Sequence, residues 1–360
     1  MGLSEREMTM PDDYAHYQFR LQVLAPVAAD SPFDSDTLWG RILCALTSGS
    51  KDEQVLAEKW LSELNELLLK PNADWQPPLL ASEGFQCEAT GEPWLPVPLA
   101  FTRQLEKMEI NPPPGRQPPP RKELKKIERA PLRNFVKLCE GQVDVWRLLD
   151  IRPQAPGVTP AIHPHLSMDR LSGKSLEGQL YVTALNVYSP PEILFFLRLR
   201  KADEARQLKE ALKHVCEEGW GSARSRGLGR LCFKSFEPWQ PPTFPEPPDG
   251  FVSLSHFCPA ANDPTDGLWK LQAKHPVPAQ FVNGKRVALG EKDQWRVKSF
   301  LRLRAGSCFR LDGGQPARPY YGRMLNGLLD PALDGEAQPL PALFHYALAF
   351  PVPMRWPKES

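Results

Sequence analysis

Alternation is the first signal in the chain. Tyr17, Phe19, Leu21 and Val23 are apolar, and Gln18, Arg20 and Gln22 between them are polar. A period of two predicts a β-strand with one apolar and one wet face. After a proline-containing turn, Ser31-Pro32-Phe33-Asp34-Ser35-Asp36 leads into Leu38, Ile42, Ala45 and Leu46 at helical spacing, with Ser35 or Asp36 placed to cap the helix. A second helix is predicted over residues 52–69, with Val55, Leu56, Leu64, Leu67 and Leu68 among its apolar positions. Residues 193–200 read as a strand whose end alternates leucine with arginine. Residues 203–218 read as a helix with Ala205, Leu208, Leu212 and Val215 on one face, and Gly219 is placed to end it. A glycine-rich loop and a short strand over residues 230–236 follow. This order is that of a β-α-β-β-α-β ferredoxin-like unit carrying a long insertion. Beyond residue 250 the signals are mostly strands, over 251–257, 268–274, 295–303 and 344–350, with a turn at 306–309. The fold class is α+β: two ferredoxin-like or RRM-like domains, the second smaller, β-rich and readable as a degenerate copy of the first.

Composition adds boundaries. Forty of the 360 residues are proline, about twice the usual share of roughly 5%. Apolar residues at 41% still supply a sizeable core, so the bulk must fold. Two proline clusters punctuate the chain, because proline lacks the N–H that helices and central strands need. Residues 111–120 (NPPPGRQPPP) form an exposed polyproline stretch inside an insertion at about residues 105–140. Residues 237–250 read as an interdomain linker. The expected organisation is a polar tail over 1–14, a first domain over 15–236, the linker, and a second domain over 251–360. Seven scattered cysteines, none spaced as C-x-x-C, argue against a disulfide scaffold or zinc ribbon. The start of the chain has no apolar leader, and no stretch of about 18 apolar residues occurs, which reads as a cytoplasmic protein without a membrane segment.

Charge is balanced overall and uneven locally. Residues 1–70 hold twelve acidic against six basic side chains. Residues 115–137 carry eight basic side chains against Glu123 and Glu128, and residues 294–310 carry Arg296, Lys298, Arg302, Arg304 and Arg310 with no acid. Such runs are either solvated faces or phosphate-contacting patches, and the neighbours Phe135, Trp295 and Phe300 would let bases stack.

Three segments carry candidate chemistry. In Gly219-Trp-Gly-Ser-Ala-Arg-Ser-Arg-Gly-Leu-Gly-Arg230, glycines allow a partner's backbone to approach, N–H groups can form an anion-cradling nest, and Arg224, Arg226 and Arg230 add positive charge. It closes a helix and opens a strand, so it is not a dinucleotide fingerprint, and it lacks the Gly-Lys-Ser/Thr of a Walker loop. The plain alternative is a basic surface turn. At Ser31–Gly40, a helix N-terminus with Ser35 and Thr37 can meet phosphate, while simple capping, or magnesium held by Asp34 or Asp36, are the alternatives. At His163–Lys174, His163 or His165 could abstract a ribose 2′-hydroxyl proton with Arg170 and Lys174 holding phosphate; the same residues serve equally to position RNA, or as a structural turn with Asp169 paired to Arg170.

With Ser35-Asp36-Thr37-Leu38 opening the first helix, Ser167-Met-Asp-Arg170-Leu-Ser-Gly ahead of Glu177-Gly-Gln-Leu-Tyr181, and the glycine loop of residues 219–229, the sequence resembles the RAMP superfamily of CRISPR-associated RNA-binding proteins. Within it, the nearest likeness is to the fourth Csm subunit family of type III-A effector complexes. The resemblance covers most of residues 15–236 and is looser beyond. It implies a noncatalytic, cofactor-free subunit that grips the 5′ handle of CRISPR RNA and binds the large polymerase-cyclase subunit and the adjacent backbone RAMP subunit. Carried over by position, Ser35 and Thr37 would lie near the handle, Arg170 and Lys174 would line the groove, and Arg224, Ser225, Arg226, Gly227 and Gly229 would contact its backbone. The alternative within the same superfamily is an endoribonuclease that processes precursor RNA with a histidine base.

Overall fold

The computed structural model describes residues 14–69, 75–107, 117, 119–142, 145–168, 171–172, 174–222, 224–244, 248–276, 281–282, 285–286, 298–311, 317–326 and 344–357. The expected tail over 1–14, most of the polyproline stretch, Asp169, Arg170 and Trp295 therefore lie largely or wholly outside the described residues.

The first half opens with β1 (Ala15–Val23), a two-residue β2 (Val27–Ala28), α1 (Ser35–Ser48) and α2 (Lys51–Leu69). Short strands β3 (Leu79–Ala81), β4 (Phe85–Gln86) and β5 (Trp94–Pro96) follow. The insertion is helical: α3 (Leu99–Lys107), α4 (Arg121–Leu124), β6 (Arg129–Pro131), α5 (Leu132–Cys139) and α6 (Val145–Ile151). Then come a long hairpin, β7 (Gly157–Met168) and β8 (Ser175–Ser189), and β9 (Glu192–Leu199), α7 (Ala205–Glu218) and β10 (Leu231–Pro238).

The main sheet has the order β10-β1-β9-β3, with β4 also on β9, and every neighbour is antiparallel. Its register follows from side-chain pattern. Phe19 and Leu21 of β1 are fully buried and stand opposite Phe195 and Ile193 of β9. The polar side of β1 is half-buried rather than wet, because Arg20 pairs with Glu192 and donates to the Gly91 carbonyl at 2.8 Å. β9 is central, and its unbroken Ile-Leu-Phe-Phe-Leu run is buried on both faces, as a strand between two others requires. Helices α1, α2 and α7 pack on one another, α7 through Leu208, Ala211, Leu212 and Val215. Val55 of α2 points outward, and Leu56, Ala57, Trp60 and Leu64 make its buried stripe instead.

The second half is β-rich. Strands β11 (Gly250–Ser253), β12 (Gly267–Leu268), β13 (Leu271–Lys274), β14 (Phe281–Val282), β15 (Lys285–Arg286), β16 (Phe300–Leu303), β17 (Cys308–Arg310), β18 (Tyr321–Gly322), β19 (Leu348–Ala349) and β20 (Pro351–Met354) form a sheet of order β12-β17-β11-β20 and three two-stranded ribbons. Alternation on β11 sends its two faces to different places. Val252 joins the main core with Leu254, Cys308, Tyr346 and Phe350, while Phe251 stacks on Tyr321 at 3.9 Å in a smaller cluster. Tyr346 closes the seam: its ring stacks on Trp39 of α1, and its hydroxyl accepts from the Ala81 N–H at 3.0 Å. Arg198 of β9, also buried, donates to the Pro319 and Pro351 carbonyls and lies over the Phe350 ring. Among the described residues, no helix is long and apolar enough to cross a membrane.

Two glycines give opposite expectations. A Cβ at Gly229, whose φ is +62°, would sit 1.8 Å from the Trp220 carbonyl, whereas one at Gly40 inside α1 meets nothing within 4 Å. Gly40→Ala is expected to stabilise the protein by about 0.5–1 kcal/mol in a denaturant titration. Gly229→Ala is expected to lower the melting temperature; equal or higher stability would show that the loop does not pack on Trp220 as described.

Candidate nucleic-acid interface

Two neighbouring arrangements surround the turn between β1 and α1, and only one of them faces solvent. The inner one is a cluster of charges. Asp34 holds the cap position of α1 without a side-chain cap bond, so neither Ser35 nor Asp36 caps the helix as expected. Glu83 takes over: its carboxylate accepts from the Ser35 N–H at 3.2 Å and the Ser35 hydroxyl at 2.9 Å. Asp34 Oδ2 lies 2.6 Å from Arg302 and 3.0 Å from Lys274. Asp36 meets Lys274 at 2.8 Å, Arg302 at 3.2 Å and His345 at 3.2 Å. His256 sits 2.9 Å from Glu83.

Burial raises the cost of every charge here, and the partners decide the outcome. For Asp34, burial with the like charges of Glu83 and Asp36 pushes the carboxyl up despite Arg302 and Lys274. For Asp36, burial is overcome by His345, Lys274 and Arg302, which hold the carboxyl well below the usual carboxylate range. Glu83 is likewise held down by His256 and Arg302 against its burial. Ligand atoms of Asp34, Glu83 and His256 lie within 4.8 Å of one another. A divalent cation would nevertheless compete there with a guanidinium and an ammonium already on Asp34, so the magnesium reading does not fit the geometry.

The outer arrangement joins three segments distant in sequence. Trp220, fully buried, anchors the glycine loop: its indole N–H lies 3.1 Å from both the Ser31 and Pro32 carbonyls, and its ring packs against Phe33 at 4.9 Å. The Gly229 N–H donates to the Pro26 carbonyl at 2.8 Å, and the Gly229 carbonyl accepts from the Trp220 N–H at 2.7 Å. Gly219, Gly221, Gly227 and Gly229 all have positive φ. The loop therefore folds back on the β1–α1 turn and leaves Arg224, Ser225, Arg226 and Gly227 exposed. The hairpin comes in from the other side, with β8 pairing β2 at Val27↔Asn186 and Ala28↔Leu185.

Strand alternation gives the hairpin two unlike faces. One carries Ile162, Leu166, Leu180 and Val182, all exposed. The other carries His163 and Thr183 as one cross-strand pair and His165 and Tyr181 as the next. His165 stacks on Tyr181 with ring centroids 4.7 Å apart, and the Arg226 guanidinium lies 5.6 Å from the centre of the same tyrosine ring. Between loop, turn and hairpin lies a cavity of about 600 Å³ lined by Asp30, Val182, Thr183, Ala184, Ser222, Ser225 and Arg226.

Of the positions named from sequence, Arg224, Ser225, Arg226 and Gly227 share this exposed loop. Gly229 is buried beneath it, and Ser35 is fully buried with its hydroxyl spent on Glu83, so neither presents a group to a ligand. Thr37 is half-buried on α1. Lys174 is exposed at the far end of the hairpin, seven residues from Tyr181 and so roughly 20 Å along the strand. Arg170 lies outside the described residues. Two aromatic positions offered for base stacking need correction. Phe135 is fully buried on the inner side of α5, and Phe300 is half-buried, edge-on to His345. Arg302, read as part of a basic face, is an internal counter-ion. Asp30 was not singled out from sequence, and Tyr181 and Trp220 entered only as members of longer motifs.

No family model matches the sequence, and no curated protein matches it. Solved structures do match in fold. A crystal structure of the Csm1-Csm4 cassette in complex with pppApA contains a chain 17% identical, with 95% of this chain and 100% of that one covered at a TM-score of 0.52. The Csm3-Csm4 subcomplex of the type III-A CRISPR-Cas interference complex gives 12% identity, 95% and 99% coverage, and a TM-score of 0.53. The chain shares its fold with a chain of each of these two assemblies. The match covers 95% of this chain, so it takes in the β-rich second half as well, where sequence resemblance was loose.

The charge cluster makes a stability prediction. Arg302→Met leaves two buried carboxylates short of a counter-ion and is expected to cost about 3–5 kcal/mol, read by urea unfolding. Because the Asp36 carboxyl is depressed in the folded state, its contribution is complete above its unfolded value near 4 and declines as pH falls below it. The stability gap between wild type and Asp36→Asn is therefore expected to narrow by about 1 kcal/mol from pH 6 to pH 3. A gap that widens on acidification would reverse the assignment.

Proposed function

We propose that this chain is a noncatalytic RNA-binding subunit of a type III CRISPR interference complex, acting in the cytoplasm. In this reading it grips the 5′ handle of CRISPR RNA and joins a large polymerase-cyclase subunit to the backbone RAMP subunits. The observation that carries the reading is the match in fold, over 95% of this chain, with chains of the Csm1-Csm4 and Csm3-Csm4 assemblies. The exposed loop of Arg224, Ser225 and Arg226 beside a cavity supports it chemically. Such a loop offers fixed positive charge and open backbone to a phosphate chain, which is the sequence-independent part of RNA affinity.

The domain reading goes with this. Strand order β10-β1-β9-β3, with α1 after β1 and α7 between β9 and β10, has the connectivity of a β-α-β-β-α-β unit over residues 15–236. Residues 251–360 would be the smaller second unit, with 237–250 between them. The histidine pair supports positioning more than cleavage. His163 and His165 are 3.3 Å apart, His165 reaches the Thr183 hydroxyl at 3.0 Å, and its ring is engaged in the stack on Tyr181.

Binding of repeat-derived RNA measured across a salt series tests the proposal. The double variant Arg224→Ala with Arg226→Ala is expected to bind more weakly and to flatten the dependence of log affinity on log salt, by about one unit for each phosphate that is no longer neutralised. An unchanged slope would remove the loop from the interface. The same RNA incubated with and without magnesium is expected to stay intact; cleavage that disappears in His165→Ala would replace this reading with the endoribonuclease.

A further inference from the structure

The loop-hairpin cavity has a feature that a simple phosphate cradle would not carry. Asp30 stands on its wall, and its Oδ1 accepts from the Ser31 hydroxyl at 2.9 Å and faces the Ser222 hydroxyl at 3.4 Å, which fixes the carboxylate at that edge. An ionised carboxylate only accepts hydrogen bonds and repels phosphate, so a ligand meeting Asp30 must bring N–H or O–H donors. Arg226 lines the same cavity and attracts negative charge. A ligand with an anionic part and a donor-bearing part satisfies both, and a nucleotide within an RNA strand has this composition.

The surroundings supply the remaining contacts. Thr183, Ser222 and Ser225 place hydroxyls on the walls. Arg226 also lies over the ring of Tyr181, which is 45% exposed and stacked on His165, so an aromatic surface adjoins one of the residues that line the cavity. Single-stranded RNA is read by splaying bases apart, stacking some on aromatic side chains and hydrogen-bonding the edges of others. Among the four bases, guanine alone presents two adjacent donors, N1–H and the 2-amino group, on its Watson–Crick edge, the pattern a carboxylate matches.

We propose, building on the RNA-binding reading above, that this cavity holds one unstacked guanine of a single-stranded RNA. Its donor edge meets Asp30, its phosphate meets Arg226, and the neighbouring base stacks on Tyr181 and His165. The site thus adds base selectivity to a surface otherwise suited to backbone contact.

The test uses the full chain, fluorescence anisotropy and two labelled octamers, one all uridine and one with a single central guanosine. Wild type is expected to bind the guanosine octamer about tenfold more tightly, equivalent to about 1.4 kcal/mol. Asp30→Asn is expected to bring the two octamers within about twofold of each other, because the amide turns an acceptor toward donors into a donor. Tyr181→Ala is expected to weaken both about tenfold without changing the salt slope, and Tyr181→Phe to behave as wild type. Both positions are exposed, and circular dichroism checks that the variants fold. No preference in the wild type, or one that survives Asp30→Asn, overturns the guanine site while leaving RNA binding intact. Wild-type protein that binds neither octamer at low salt overturns the RNA-binding reading and the guanine site with it.

Discussion

Neutralisation of Asp34 and Asp36 by Arg302 and Lys274 is the interaction on which the rest of the molecule depends. Two carboxylates at the head of a helix are favoured by its dipole, yet here both are buried, and burying charge without partners is prohibitively costly. The partners come from β13 and β16, more than 230 residues away in sequence. Because the cluster lies beneath the β1–α1 turn, it holds that turn against the second half. The turn in turn supplies the carbonyls of Ser31 and Pro32 that seat Trp220. The charge cluster and the glycine loop are thus successive layers built on one turn.

That layering separates structural from available chemistry. Inside, acidic and basic groups are consumed by one another, which is why residues resembling a metal centre or a phosphate-binding helix end are engaged within the protein. Outside, charge remains only partly spent. Arg224 leans on Glu218 at 3.3 Å, while Arg226 rests against an aromatic ring. A guanidinium held over a ring keeps its donors for another partner, and its orientation is set before that partner arrives.

The readable parts of the fold were those in which short-range pattern and long-range packing agree. β1 alternates because one of its faces carries Phe19 and Leu21 into the core, and α7 shows its stripe because Leu208, Leu212 and Val215 meet neighbouring elements. Gly219 does take positive φ at the helix end. The failures share another cause. Ser35 and Asp36 have the residue types of caps, but Glu83, 48 residues away, takes the capping bonds. Arg302 sits in a basic run, and only its distant carboxylates make it internal. The β7–β8 hairpin escaped because Pro160 and Pro164 interrupt its first strand, and proline inside a run argues against a strand even where apolar and polar positions alternate. The site was half visible for the same reason: the loop announces itself by glycine and arginine, whereas Asp30 and Tyr181 acquire meaning only from what the fold sets beside them.

The sequence separation inside the charge cluster bears on how the chain matures at the ribosome. α1 and its two carboxylates are made early, whereas Lys274 follows with β13 and Arg302 with β16. Until Arg302 is present, the apolar contacts of Phe33 and α1 draw this segment inward against the cost of burying carboxylates that lack their counter-ion. Final seating of that turn, and of the glycine loop held by the Ser31 and Pro32 carbonyls, therefore depends on residues of the second half.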